Sequence, residues 1–281
     1  MTPTFCSTAL AERIERAEAG LIAAGADAAR RRGGAGFEIA VAGGAACFAG
    51  ENSPFNKVVG LGFGGLPSGA ELDEIETAFA AQGSATQVEL AHLADPEIAA
   101  TLTGRGYQLV SFENVLGRPL AGPLERITPP GVDVRPSGDG EFGTWLDTVV
   151  EGFANPDAQG VASYEEFPRD VLADATRDMA AAGATRYIAM ADGVVAGAAS
   201  VRLADGIAQL TGAATAPAHR RRGVQTALLA ARLADAAAAG CDIAVVTTSP
   251  GSKSQENVQR RGFDLLYTRA ILVKAVPEPT A

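Results

Sequence analysis

With 281 residues, 33 of them acidic against 23 basic, the chain carries a net charge of −10 and is long enough for two domains of about 140 residues. That balance argues against broad nucleic-acid binding, which rests on an excess of Lys and Arg. No apolar run approaches the roughly 20 residues that span a bilayer.

Residues 7 to 31 place Leu10, Ile14, Ala17, Leu21 and Ala24 at helical spacing among Glu and Arg, which predicts a long helix. "FEIAVAGGAACFA" (37 to 49) predicts two strands around a Gly-Gly turn, and "KVVGLGFG" (57 to 64) a buried strand. An amphipathic helix follows at 70 to 82, then a strand at 86 to 93. In "DPEIAATLTGRG", Asp95 is set as N-cap with Pro96 at the first helical position, and the helix stops at Gly104 or Gly106. "YQLVSFENVLGRPL" alternates like a strand. The stretch "PLAGPLERITPPG" (119 to 131) holds four prolines and two glycines and reads as a linker.

Beyond it come a strand at 132 to 137, a helix near 140 to 153, a looser segment at 154 to 163 and a helix at 164 to 182. Three strands joined by two Ala-Asp-Gly turns follow, the Asp-Gly pairs being strong hairpin signals. "APAHRRRGV" leads into a helix at about 223 to 239. A strand (241 to 249), a short helix (252 to 261) and a last strand (263 to 274) complete the chain. "TGRGYQLVSFENVLGRPL" (103 to 120) aligns with "QRRGFDLLYTRAILVKAV" (259 to 276), and the preceding strand–helix–strand elements match in order. This implies an internal duplication.

Two arginine-glycine stretches differ in context. "HRRRGV" lies between a strand and a helix start, where unpaired peptide N–H groups and the helix dipole favour an anion. Arginines there oppose the dipole, so their placement points to a bound phosphate. "RRRGGAG" (30 to 36) ends a helix, where Arg and Gly are favoured for structural reasons. The counterpart of the second-half loop (217 to 222) in the repeat is instead "GGLPSG" (64 to 69), which lacks arginine.

From these residues, the second half resembles the GNAT superfamily of N-acetyltransferases. Its signature, Gln/Arg-x-x-Gly-x-Gly/Ala, falls on Arg220, Gly223 and position 225, where Gln225 departs from it. The element order over 132 to 274, including "RRGF", supports the resemblance. It implies an α/β mixed, mostly antiparallel sheet flanked by helices in each of two tandem domains. These are a degenerate copy at 1–120, a linker at 121–131 and a cofactor-binding domain at 132–281, an architecture similar to that of mycothiol synthase. The resemblance also implies contacts to acetyl-CoA. Ala213, Ala214 and Thr215 would run along the pantetheine arm, Arg220 would add charge, and N–H groups of Arg221, Arg222, Gly223, Val224, Gln225 and Thr226 would hold the pyrophosphate.

A tyrosine commonly protonates the leaving thiolate in this family, but the matching position is Val258. Tyr267 and Ser254 are the candidate replacements. The fourth strand of that half offers Gln209 and Thr211 but no carboxylate. Asp147 and Glu151, at helical spacing, are therefore candidates to attract a cationic amine, with Glu151 a candidate base; both also fit a solvated helix face. The implied activity is direct acetyl transfer to the amine of a small molecule or peptide, without metal, nucleic acid or membrane. Cys6, Cys47 and Cys241 lack metal spacing, and the amino-terminal stretch lacks a signal-peptide core, so a cytoplasmic enzyme is expected. Two other readings stay open on the residues: a CoA-binding sensor or scaffold, and a transferase that takes its group from aminoacyl-tRNA.

Overall fold

A computed structural model of the chain describes residues 3–122, 124–155, 161 and 165–276. Helix α1 (Thr8–Arg31) starts where the Ser7 side chain accepts the Leu10 N–H. It ends on Arg30 and Arg31, ahead of Gly33 at φ 101°. The first arginine-glycine stretch is thus a helix stop. Next come β1 (Phe37–Val41), β2 (Gly44–Phe48) and β3 (Lys57–Val59). The strand expected over 57 to 64 stops at Val59, because Gly60 (φ 76°) and Gly62 (φ 94°) turn the backbone out of the sheet. Helix α2 (Gly69–Ala81), β4 (Thr86–Ala91), α3 (Pro96–Gly104) and β5 (Gln108–Pro119) complete the first half.

The second half runs β6 (Val132–Pro136), α4 (Phe142–Ala154), α5 (Arg169–Ala181), β7 (Thr185–Ala191), β8 (Val194–Ala204) and β9 (Ile207–Thr215). It continues with α6 (Val224–Ala238), β10 (Ile243–Thr248), α7 (Lys253–Gln259) and β11 (Asp264–Lys274). Most of the looser segment (156–160 and 162–163), with residue 164, lies outside the described residues. Helix α5 starts at Arg169, later than the pattern predicts. Pro168 caps it, and a proline disfavours helical backbone in the residue before it. Both Asp-Gly turns have positive φ at both residues (52° and 78°, 51° and 75°), the conformation of a tight hairpin.

Among the described residues the strands form one eleven-stranded sheet in the order β1-β2-β3-β4-β11-β5-β10-β9-β8-β7-β6. Two pairs, β3–β4 and β9–β10, are parallel, and the others are antiparallel. The halves exchange their last strands. β11 pairs with β4 of the first half (Arg269↔Ala91), and β5 pairs with β10 of the second (Ile243↔Pro119). The two exchanged strands also pair with each other, from Asp264↔Gly117 to Val273↔Gln108.

At the exchange sits a buried ion cluster. Arg269, 1 % exposed, is bound by Glu15 at 2.8 Å and Glu113 at 3.0 Å, with Glu89 at 3.6 Å; Lys57 pairs with Glu89. Burial, and then the Glu89 charge, push the Glu113 carboxyl up to about 7.

Helix α1 also packs on α5 of the other half. Arg32 grips the buried Asp178 through Nε at 2.9 Å and Nη2 at 2.8 Å. Replacing Arg32 with Ala strands that carboxylate and should lower stability by about 2–3 kcal/mol in urea titrations. Removing Asp178 as well should recover part of the loss, and additive losses would deny the coupling.

Candidate acyl-transfer site

The pairing of β9 with β10 covers Ile243↔Ile207 to Val245↔Gln209 and then ends, so the two parallel strands splay apart beyond Gln209. On its other side β9 bulges against β8 between Ala198 and Ser200, near Gly212 at φ 38°. The buried Arg232 of α6 supports this distortion, its Nη1 donating to the Ser200 carbonyl at 3.0 Å and to Thr211 at 3.4 Å. Burial lowers its guanidinium to about 10.

A short turn at Pro217–His219 follows β9, and the chain enters α6 through Arg221 (φ 62°) and Gly223 (φ 81°). No side chain caps α6, so its first N–H groups face outward with the positive end of the dipole. They open on a cleft of about 950 Å³, lined by Ala213 to Thr215 of β9, Arg220 and Arg221, Gly223 to Thr226, Ser254 and Asn257 of α7, and Arg260 just beyond it. Arg220 Nη2 donates to the Asn155 carbonyl at 2.7 Å, tying the loop to the end of α4.

Arg222 does not join the cleft lining. The left-handed backbone at Arg221 parts the neighbouring side chains, and Arg222 pairs with Asp192 at 2.7 Å and meets His219 Nδ1 at 3.2 Å. At Gly223 a Cβ would meet Pro129 of the linker at 2.8 Å, so this glycine answers both the positive φ and a close approach by the linker. Gln225, where the signature has a small residue, is held by Asn257 Nδ2 at 2.7 Å.

The matching helix start in the first half is built differently. Ser68 accepts the Glu71 N–H at 3.2 Å, and Glu71 accepts the Ser68 N–H at 2.7 Å. The start of α2 is closed by its own carboxylate, which hydrogen bonds to the Ser68 side chain and backbone hold below the usual range.

A second cavity of about 350 Å³ lies at the splay and shares Phe153, Ala213, Gln225 and Ser254 with the cleft. Ser254 and Val258, one turn apart on α7, both line it. So does Glu18 of α1, a carboxylate from the other half of the chain. Sequence reasoning missed Glu18 because α1 reads as an ordinary amphipathic helix. The available signal was its place in an i, i+4 stripe between Ile14 and Ile22.

The other predicted catalytic residues lie elsewhere. Tyr267 is 1 % exposed in the first-half core, with its phenol donating to Glu15 at 2.6 Å, and it lines neither cavity. Burial, then the Glu15 charge, hold that phenol well above 10. A bulge between Leu265 and Tyr267 breaks the alternation that would put them on one face: Leu265 is exposed and Tyr267 buried. Asp147 and Glu151 lie on the outer face of α4, opposite the buried Trp145, Leu146, Val149 and Val150. Glu151 is engaged by Arg169 at 2.9 Å and Asn155 at 2.8 Å. Among the described residues neither carboxylate lines the cleft or the second cavity.

The splayed parallel strands and the uncapped helix start beside them form the candidate acyl-transfer site. Residues 153–263 match the model of the Acetyltransferase (GNAT) family. A search of the curated proteins finds no match.

Among solved structures, the fold is similar to a GCN5-related N-acetyltransferase from Kribbella flavida. That pair has a TM-score of 0.63 and 21% identity, covering 91% of this chain and 96% of that one. It is also similar to a tandem GNAT protein from the clavulanic acid biosynthesis pathway, with a TM-score of 0.58, 14% identity and coverage of 84% and 79%. A third is a GCN5-related N-acetyltransferase from Sphaerobacter thermophilus, with a TM-score of 0.55, 15% identity and coverage of 75% and 67%. The chain thus has the mixed, mostly antiparallel tandem GNAT fold.

Proposed function

We propose that the protein transfers an acetyl group from acetyl-CoA directly to the amine of a small molecule or peptide, in the cytoplasm. The observation that carries this reading is the uncapped start of α6 opening on a long cleft that joins a second cavity at the splay. An anionic pyrophosphate fits the N–H groups of residues 221 to 226, with Arg220 and Arg221 adding charge. The amide-bearing arm fits the backbone of Ala213 to Thr215, which β10 leaves unpaired. In the transfer the amine nitrogen bonds the acyl carbon and gives up one proton to a base or to water, the carbon–sulfur bond breaks, and the thiolate takes up a proton. Ser254, which lines both cavities, is our candidate hydroxyl for that proton. The first half serves as a degenerate copy, its helix start closed by Glu71.

Calorimetric titration with acetyl-CoA should return one site per chain. A stoichiometry near two would show that the capped copy still binds. Tight binding without turnover of any amine would favour a CoA-binding sensor.

A further inference from the structure

We propose that Glu18 of the first half is the acceptor-binding carboxylate of the second half's site, and that the acceptor is a compact apolar molecule bearing a primary amine and no adjacent carboxylate. This rests on the acyl-transfer reading above. The cavity at the splay is walled by α1 of one half and by β9, β10 and α6 of the other, so the site is complete only with both.

The Glu18 side chain is 18 % exposed and lines the cavity. Its protein partners are distant: Gln209 Nε2 donates to Oε2 at 3.4 Å, and Arg269 Nη1 stands 3.9 Å from Oε1. Gln209 is itself oriented by Arg202, whose Nη1 donates to the amide oxygen at 2.8 Å, so its NH₂ group is the end directed at Glu18. The carboxylate therefore keeps acceptor capacity for a ligand donor.

The surroundings favour a cation there. Glu15, Glu18, Glu89 and Glu113 face the buried cations Arg269 and Lys57, both of which have shorter bonds to other carboxylates; Arg202 also acts on Glu18, and Glu165 adds a further negative charge near Lys57. An ammonium beside Glu18 would offset part of that excess. Burial raises the Glu18 carboxyl, with Glu89 and Glu15 adding to the effect against Arg269, so it can also take up the proton that the amine gives up.

The rest of the wall selects the acceptor's body. Leu21, Ile22, Met179, Ile207 and Leu229 are apolar, and the one guanidinium lining the cavity, Arg232, is committed to backbone carbonyls. Among the described lining residues a carboxylate next to the amine would find no uncommitted cation, and it would repel Glu18.

The test compares phenethylamine with phenylalanine as acceptors, with acetyl-CoA affinity measured in parallel. The wild type should favour phenethylamine in kcat/KM by about tenfold or more. Glu18→Gln, close in shape, should raise the phenethylamine KM by about tenfold or more and leave the acetyl-CoA Kd unchanged. A wild-type phenethylamine KM in Glu18→Gln would overturn the proposal. So would a wild type that binds acetyl-CoA yet prefers phenylalanine or acetylates neither compound, and that comparison needs no variant. Failure to bind acetyl-CoA would instead sink the acyl-transfer reading and this proposal with it.

Discussion

Arg269→Ala is expected to cost about 3–5 kcal/mol of stability, the range for breaking a buried ion pair from one side. The guanidinium enters the first half on an exchanged strand and neutralises carboxylates contributed by α1, β4 and β5. Without it, Lys57 is left facing four acidic side chains of that cluster. The loss should be larger at pH 8 than at pH 5. Glu113, held up to about 7, is mostly protonated in the folded state at the lower pH and needs the cation less. The sign follows from the raised value: this carboxyl favours the folded state at low pH, and that contribution disappears as the pH rises through 7. Urea titrations at both pH values measure it. A loss below 1 kcal/mol, or one greater at pH 5, would mean the cluster does not hold the exchanged strands together.

The elements of local origin were legible in the sequence. The Asp-Gly turns, the Asp95-Pro96 helix start and the glycine entry to α6 each follow from backbone preferences of two or three residues, and they appear where those preferences put them. The strand exchange was not. β5 and β11 are long, similar strands following the same Arg-Gly-aromatic turn, so the chain text does not say which sheet each joins. That choice lies in contacts between residues more than a hundred positions apart, such as Tyr267 with Glu15 and Arg269 with Glu113. The same distance hid Glu18, whose helix belongs to the half whose matching helix start is capped. Asp147 and Glu151 show the opposite error: i, i+4 spacing identifies a helix face but does not say whether it meets a cleft or solvent.

Gly223→Val is expected to weaken acetyl-CoA binding on the order of a hundredfold, roughly 2.7 kcal/mol. The backbone at φ 81° is poorly accessible to a β-branched residue, and its Cβ would lie 2.8 Å from Pro129 Cγ. Relief requires the peptide to rotate or the linker to retreat, and either movement turns the first N–H groups of α6 away from a common point. The variant will also lose stability, so affinity alone does not isolate the cause. Gly34→Val supplies the control, because its Cβ would press on the Ala29 carbonyl at 3.0 Å and the Ala49 carbonyl at 3.3 Å, outside the cleft lining. Both variants should show a lower Tm, and only Gly223→Val should lose CoA. Equal affinities in the two variants, measured by calorimetry below either Tm, would show that the start of α6 is not the phosphate site.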